Sequence, residues 1–260
     1  HALLRSADVA MYEAKSKGSG INLYNREQDK HTPERLALTA ELNNAIRNNN
    51  LLLHYQPKVD LNTGEVCGFE ALVRWQHDRL GLLYPDKFIP LAEVGDSIHH
   101  LTREVLDIAL RQQQRWFNSG YQMPVSVNLS ARNLIDERCT EVLRELLERY
   151  GTPRGMLELE ITETALMQDA DTALQQLMQM ADLGIRLSID DFGTGYSSLS
   201  YLRRMPIDAL KIDRVFVKDM LSSNQDTAIV SSTIALAHNL GLNVIAEGVE
   251  DEATMDRLRD

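Results

Sequence analysis

Cysteine is scarce. Cys67 and Cys139 are the only two in 260 residues, too few for a disulfide framework or a thiolate metal site, so nothing points to secretion. No apolar run reaches the roughly 18 residues that a spanning helix needs, and the N-terminus has no signal-peptide pattern. The expectation is a cytoplasmic chain, with any membrane anchor lying upstream of this portion. Basic residues are also short, 27 Lys+Arg against 38 Asp+Glu, for a net charge of −11. A field of that sign argues against a DNA or RNA polymer as partner. It still admits a small anionic ligand where local cations or bound metal reverse the field. Neither a GxGxxG nor a GxxxxGK(S/T) phosphate loop occurs, which weakens a nucleotide-cofactor fold. What is present is an ordinary globular mixture, 43% hydrophobic and 25% charged, which rules out a disordered or fibrous chain.

The chain starts in mid-structure. Residues 7–17 carry apolar side chains at helical spacing and stop on Gly18-Ser19-Gly20. Residues 21–24 are strand-like and 25–33 are polar enough to be a linker. So short a helix cannot bury its apolar face alone. Residues 1–30 therefore read as the tail of an upstream domain, and a docked N-terminal arm is the alternative. Residues 31–260 form the main domain. Within it, a helix is expected over 36–47, and two strands over 52–59 and 66–75 are joined by a turn containing Asn62 and Gly64. Further strands are expected over 125–129, 156–161, 185–189, 209–212 and 243–246. Helices over 101–117, 138–150, 171–183, 225–240 and 252–258 separate or follow them. Strands joined by helices pair in parallel with right-handed crossovers. The simplest fold is an α/β modified TIM (β/α)8 barrel with an antiparallel first strand. Its last strand and helix would fall outside this chain. An open doubly wound sheet is the runner-up.

The strands carry polar residues where a buried parallel strand should be apolar. Glu158 and Glu160 alternate with Leu157, Leu159 and Ile161, so both carboxylates share a face. Ser126 and Asn128, Ser188 and Asp190, Lys211, Glu247, and Glu70 with Arg74 sit in the same way, mostly one set per strand–helix unit. A barrel brings the C-terminal ends of its strands to one mouth. That gathers Glu70, Asn128, Glu160, Asp190, Asp191 and Glu247. Five converging carboxylates repel or take up protons unless compensated, and one lysine cannot neutralise them. An all-oxygen donor set suits Mg²⁺ or Mn²⁺ rather than zinc. The adjacent Asp190 and Asp191 invite a second ion. The glycines of Phe192-Gly193-Thr194-Gly195-Tyr196 permit a close backbone approach beside these aspartates. The histidines, among them His54, His77, His99, His100 and His238, are isolated or poorly placed for shared ligation and read as structural or solvated.

Six ordered motifs complete the sequence reading. Glu70-Ala71-Leu72-Val73-Arg74-Trp75, Val127-Asn128-Leu129-Ser130, Glu158-Leu159-Glu160-Ile161-Thr162-Glu163, Asp190-Asp191-Phe192-Gly193-Thr194-Gly195, Leu210-Lys211-Ile212-Asp213 and Glu247-Gly248-Val249-Glu250 together resemble the EAL-domain family. The likeness runs from about residue 36 to the end. It implies a phosphodiesterase that hydrolyses cyclic di-GMP to linear pGpG with two Mg²⁺ or Mn²⁺ ions. Residues 7–15 resemble the last helix of a GGDEF (diguanylate cyclase) domain whose own catalytic signature is absent here.

Carried over by position, the resemblance assigns Glu70, Asn128, Glu160 and Asp190 to a first metal, and Asp190, Asp191 and Glu247 to a second. Lys211, Glu247 and Asp191 are the implied catalytic groups. Gln56, Leu72, Arg74, Asp213 and Glu250 are the implied substrate contacts. Glu163 is expected to anchor the loop of Phe192, Gly193, Thr194 and Gly195, which the family associates with homodimers. The implied partners are cyclic di-GMP, a second copy of the domain, and an upstream GGDEF or sensory domain. Because no ligand position is lost, an active enzyme is the first expectation. A non-catalytic cyclic di-GMP receptor is the alternative, and another barrel phosphodiesterase is a weaker third. The resemblance also extends to a final strand that would follow Asp260, so a truncated barrel is expected to have unpaired edges.

Overall fold

The structure, a computed structural model, describes residues 33–48, 50–194 and 199–259, together with residues 7, 10, 11, 14, 20, 21 and 23. The expected upstream-domain tail over 1–30 lies almost wholly outside them, as does the loop from Gly195 to Ser198.

Strand β1 (Leu51–Val59) folds back on β2 (Val66–His77) as an antiparallel hairpin, pairing Leu51 with Trp75 and Gln56 with Glu70. The turn between them is stabilised by Asp60, whose Oδ1 accepts from the amides of Asn62 and Thr63. Then β4 (Val125–Asn128), β5 (Leu157–Thr162), β6 (Arg186–Phe192), β7 (Ala209–Ile212) and β8 (Asn243–Ala246) add in parallel. The strand order is β1-β2-β4-β5-β6-β7-β8, and a short β3 (Gly81–Leu83) pairs with the far end of β2. The expected strands are all present, within three residues at each end. The short β3 and the helix Pro85–Val94 behind it were not expected. Three residues show no periodicity, and Pro90 inside the helix disguises it, while Pro85 sits favourably at its first turn.

The sheet is curled. In a flat sheet β2 and β7, four strands apart, would be about 19 Å from each other at roughly 4.8 Å per strand. Yet Lys211 Nζ on β7 lies 3.5 Å from Glu70 Oε2 on β2. The last helix (Glu252–Arg259) also returns to the start of the sheet, where Arg259 Nε donates to the Leu61 carbonyl in the β1–β2 turn. This is the modified TIM barrel, open between β1 and β8 among the described residues, and it excludes the open doubly wound sheet.

Helices cover the outside of the sheet. Ser97–Asn118 turns Leu101, Val105, Leu106, Ala109 and Leu110 inward at three- and four-residue spacing, and all five are buried. It begins four residues before its expected start, so His99 and His100 lie within it. Glu137–Tyr150 stops at Gly151, which takes the left-handed conformation usual after a helix. The core joins these helices to the apolar faces of β4, β5 and β6, and this clamps the strands whose polar ends form the site. No helix among the described residues is long and apolar enough to cross a membrane.

Candidate active site

The polar residues of the strand ends meet at one lysine. Lys211 is 1% exposed. Its Nζ lies 2.5 Å from Glu160 Oε2, 2.7 Å from Glu247 Oε1, 3.1 Å from Asp190 Oδ1 and 3.5 Å from Glu70 Oε2. Asn128 closes the ring by donating from Nδ2 to Glu70 Oε1 at 2.9 Å. Burial disfavours the charged form of Lys211, but Glu160, Glu70, Asp190 and Glu247 outweigh it and raise its pKa above the ordinary lysine value.

Asp190 and Asp191 are neighbours, and a regular strand would send them to opposite faces. The structure avoids this by distortion. The β6–β7 register slips between Ile189 and Phe192, and Asp191 takes a φ of 54°, the one positive φ of a non-glycine residue among those described. Its amide donates to Asp190 Oδ1. As a result Asp190, Asp191 and Glu247 each place an oxygen within 4.8 Å of the others. The next turn is held from below by the buried Glu163, whose Oε2 accepts from Gly193 N at 3.0 Å. Gly193 has a φ of 99°, and a Cβ there would meet the Phe216 ring at 3.3 Å. Glycine therefore satisfies both the backbone and the packing. Phe192 is buried, and Thr194 Oγ1 donates to the Asp191 carbonyl.

The proposed substrate contacts are more dispersed. Gln56 faces Glu70 across the β1–β2 ladder and is exposed. Leu72 and Arg74 follow Glu70 on the same face of β2 and are half-buried. Asp213 caps the helix Arg214–Lys218, with its side chain accepting from Val215 N. Glu250 is exposed beyond β8. Two histidines have carboxylate partners away from the site, His77 Nε2 at 2.8 Å from Glu41 and His99 Nδ1 at 3.1 Å from Asp136, while His54, His100 and His238 are exposed.

Two participants were missed in the sequence. Lys58, two residues after Gln56 on β1, inserts under the site and contacts Ser126, Glu158 and Glu160. The signal was its shared strand face with Gln56, but a lysine on an antiparallel strand looks like a solvated one. The second is Tyr84, whose ring centroid lies 4.8 Å from the Arg74 guanidinium carbon.

The EAL domain family matches residues 39–260. The chain belongs to the EAL domain family. Among curated relatives, MucR of Pseudomonas aeruginosa, a bifunctional diguanylate cyclase/cyclic di-GMP phosphodiesterase, is 42% identical over 260 residues. PdeR of Escherichia coli, a cyclic di-GMP phosphodiesterase, is 41% identical over 250. These alignments cover 99% and 96% of this chain but only 38% of each relative, so the chain spans about two fifths of their length. The solved MucR phosphodiesterase in complex with cyclic di-GMP superimposes with a TM-score of 0.82. It is 43% identical, and the match covers 86% of this chain and 91% of that one.

The donors of this EAL domain fit a hard divalent cation. They are carboxylates and one carboxamide, with neither sulfur nor imidazole among them, in a family that depends on divalent metal. Their electrostatics show charge still in want of compensation. Burial, and then repulsion from Glu160, push Glu70 up to about 7 despite Lys211. Burial, and then Asp190, Asp213 and Glu247, push Asp191 up to about 6. Glu247 is raised by burial too.

Proposed function

We propose that this EAL domain hydrolyses cyclic di-GMP to linear pGpG, using two divalent ions, Mg²⁺ or Mn²⁺. The observation that carries this reading is the convergence of five carboxylates and Asn128 around buried Lys211, in a chain alike throughout to cyclic di-GMP phosphodiesterases. Glu70, Asn128, Glu160 and Asp190 would hold one ion, and Asp190, Asp191 and Glu247 the other. When bound, such cations lower the pKa of water and draw charge from a phosphodiester. In the reaction a water oxygen bonds to phosphorus while one P–O3′ ester bond breaks. Glu247, assisted by Asp191, accepts the water proton, and a proton returns to the departing 3′ oxygen. Lys211 orients the water and opposes the negative charge growing on the phosphoryl oxygens. Arg74 grips a phosphate, with Gln56, Leu72, Asp213 and Glu250 as further contacts. A receptor without turnover finds no support, because every ligand position is filled.

The same reading makes residues 1–30 the end of a GGDEF-like domain and 31–260 the phosphodiesterase domain. The alignment with a bifunctional cyclase/phosphodiesterase through the N-terminal segment supports this. On the same reading the domain is cytoplasmic and forms a homodimer through the loop that Glu163 tethers. The test is incubation with cyclic di-GMP and Mg²⁺ or Mn²⁺, with products resolved by chromatography. Metal-dependent pGpG is expected, and binding without product would establish the receptor instead.

Two further outcomes follow from the site. Glu70 and Asp191 have ordinary pKa values of 4.5 and 3.8 and are raised in the fold, so the folded chain binds protons that the unfolded chain has released. Their contribution to metal-free stability is full below the ordinary range and is lost as pH rises through about 6 and 7. Metal uptake expels the same protons. Mn²⁺ binding at about pH 6 is therefore expected to release roughly one proton, and close to none by about pH 8. Calorimetry in buffers of different ionisation enthalpy measures this, and a heat independent of buffer at the lower pH would refute it.

The second outcome concerns Arg74. Its Nη1 donates to the Val73 carbonyl, while its buried Nε has no hydrogen-bond partner among the described residues. The Tyr84 ring is what orients it. Tyr84→Ala is expected to raise KM for cyclic di-GMP roughly 2- to 5-fold with little change in kcat, the scale of a lost cation–π contact at an exposed ring. Tyr84→Phe should retain the wild-type KM. Steady-state kinetics decide, and an unchanged KM in Tyr84→Ala would remove the orienting role.

A further inference from the structure

Beneath the carboxylate ring lies a second buried ionic group. Lys58 comes from β1, where its register partner on β2 is Gly68, one step below Glu70 on the same face. The Lys58 ammonium then donates to Ser126 Oγ at 2.6 Å, Glu160 Oε1 at 2.8 Å and Glu158 Oε1 at 3.0 Å. Its side chain is 14% exposed, and those of Glu158 and Glu160 are 6% and 0%. Glu158 is itself fixed, since Ser188 Oγ donates to its Oε1 and Arg186 Nη2 to its Oε2.

The consequence for Glu160 is geometric. Its two oxygens are held by two different ammonium groups, Oε1 by Lys58 from below and Oε2 by Lys211 from the site. Contact with Lys211 alone would leave the carboxylate free to rotate about its terminal bond, a torsion that is intrinsically broad. Lys58 removes that freedom, and Glu158 supplies the opposite charge that keeps Lys58 in place. Partners of this kind orient metal-binding carboxylates and tune their affinity.

We propose that Lys58, buttressed by Glu158, is a positioning residue that sets the orientation of Glu160 for divalent-metal binding. This inference rests on the reading of Glu160 as a metal ligand. It runs against simple electrostatics, because removing a nearby cation should by itself strengthen the binding of another cation. The sign of the effect therefore separates positioning from charge.

The test is Mn²⁺ affinity, read from the free-ion signal in electron paramagnetic resonance. It compares the whole chain with Lys58→Met and with the double variant Lys58→Met/Glu158→Met, and thermal melts are recorded in chelator. The single variant leaves Glu158 with only Ser188 and Arg186 and takes the ammonium from Glu160 Oε1, and is expected to be less stable. The double variant removes both members of the Lys58–Glu158 pair and is expected to regain part of that stability. Positioning predicts that Mn²⁺ binding stays about 10- to 100-fold weaker in both, even where the melting temperature has recovered. Wild-type or tighter Mn²⁺ binding by the folded double variant overturns the proposal. Failure of the wild type to bind Mn²⁺ would overturn the metal-site reading and this inference with it, an outcome that the variants cannot mimic.

Discussion

Glu70→Ala is expected to abolish pGpG formation while leaving the metal-free protein as stable as the wild type or more so. The two halves of this result have one cause. Glu70 lies where burial and the neighbouring Glu160 make its charge costly, and its carboxyl is pushed up to about 7. A carboxylate raised in this way weakens the fold wherever it is ionised, so its removal relieves strain at neutral pH and above. Groups kept at such a cost are the usual signature of function placed above stability. On the proposed ligand assignment the loss of turnover should exceed the roughly 10- to 100-fold that removal of an outer-shell partner costs, because Glu70 is itself one of the metal's donors there. Asn128 Nδ2 also loses its acceptor, which compounds the defect. Product chromatography and melts in chelator measure both halves. Wild-type turnover would discard the ligand assignment, and a large stability loss would mean that Glu70 has a structural role.

Much of this site is legible in the sequence because its residues violate the rule of the strands that carry them. Glu160, Lys211 and Asn128 stand out only against apolar neighbours such as Leu159, Ile161, Leu210 and Val127, and those runs also mark the strands. The fold and these site positions are therefore read from one pattern. What escapes the sequence lacks such contrast. Lys58 lies on a mixed strand with His54 and Gln56, where polarity is ordinary, and nothing in its local sequence marks its reach to Glu158 and Glu160. The left-handed backbone of Asp191 is equally silent, since alternation predicts that it faces away from Asp190. The Arg74–Tyr84 contact depends on the short β3 returning along β2. Each missed feature is a tertiary placement of a residue whose local sequence is unremarkable.

Lys211→Met is expected to give the opposite pairing of effects. Lys211 is as buried as any core leucine, and its ammonium touches Glu160, Glu247, Asp190 and Glu70 at once. Methionine fills a similar volume but leaves those carboxylates uncompensated. Breaking a buried ionic group by removing one member costs about 3–5 kcal/mol, or roughly 6–20 °C in a domain of this size. Added Mg²⁺ or Mn²⁺ restores the missing positive charge, so the metal-induced rise in melting temperature should be larger in the variant than in the wild type. Metal affinity is accordingly expected to be retained or improved, and turnover to fall through loss of the proposed role of Lys211 in orienting the water and meeting the phosphoryl charge. Melts with and without metal, a metal titration and steady-state rates test the three parts together. Weaker metal binding with normal turnover per bound metal would make Lys211 a support for the ligands and move the catalytic role elsewhere. Because Glu70 and Lys211 share one contact and push metal-free stability in opposite directions, the two variants together test whether the centre is built to be completed by cations. A structural salt-bridge cluster would lose stability on either substitution.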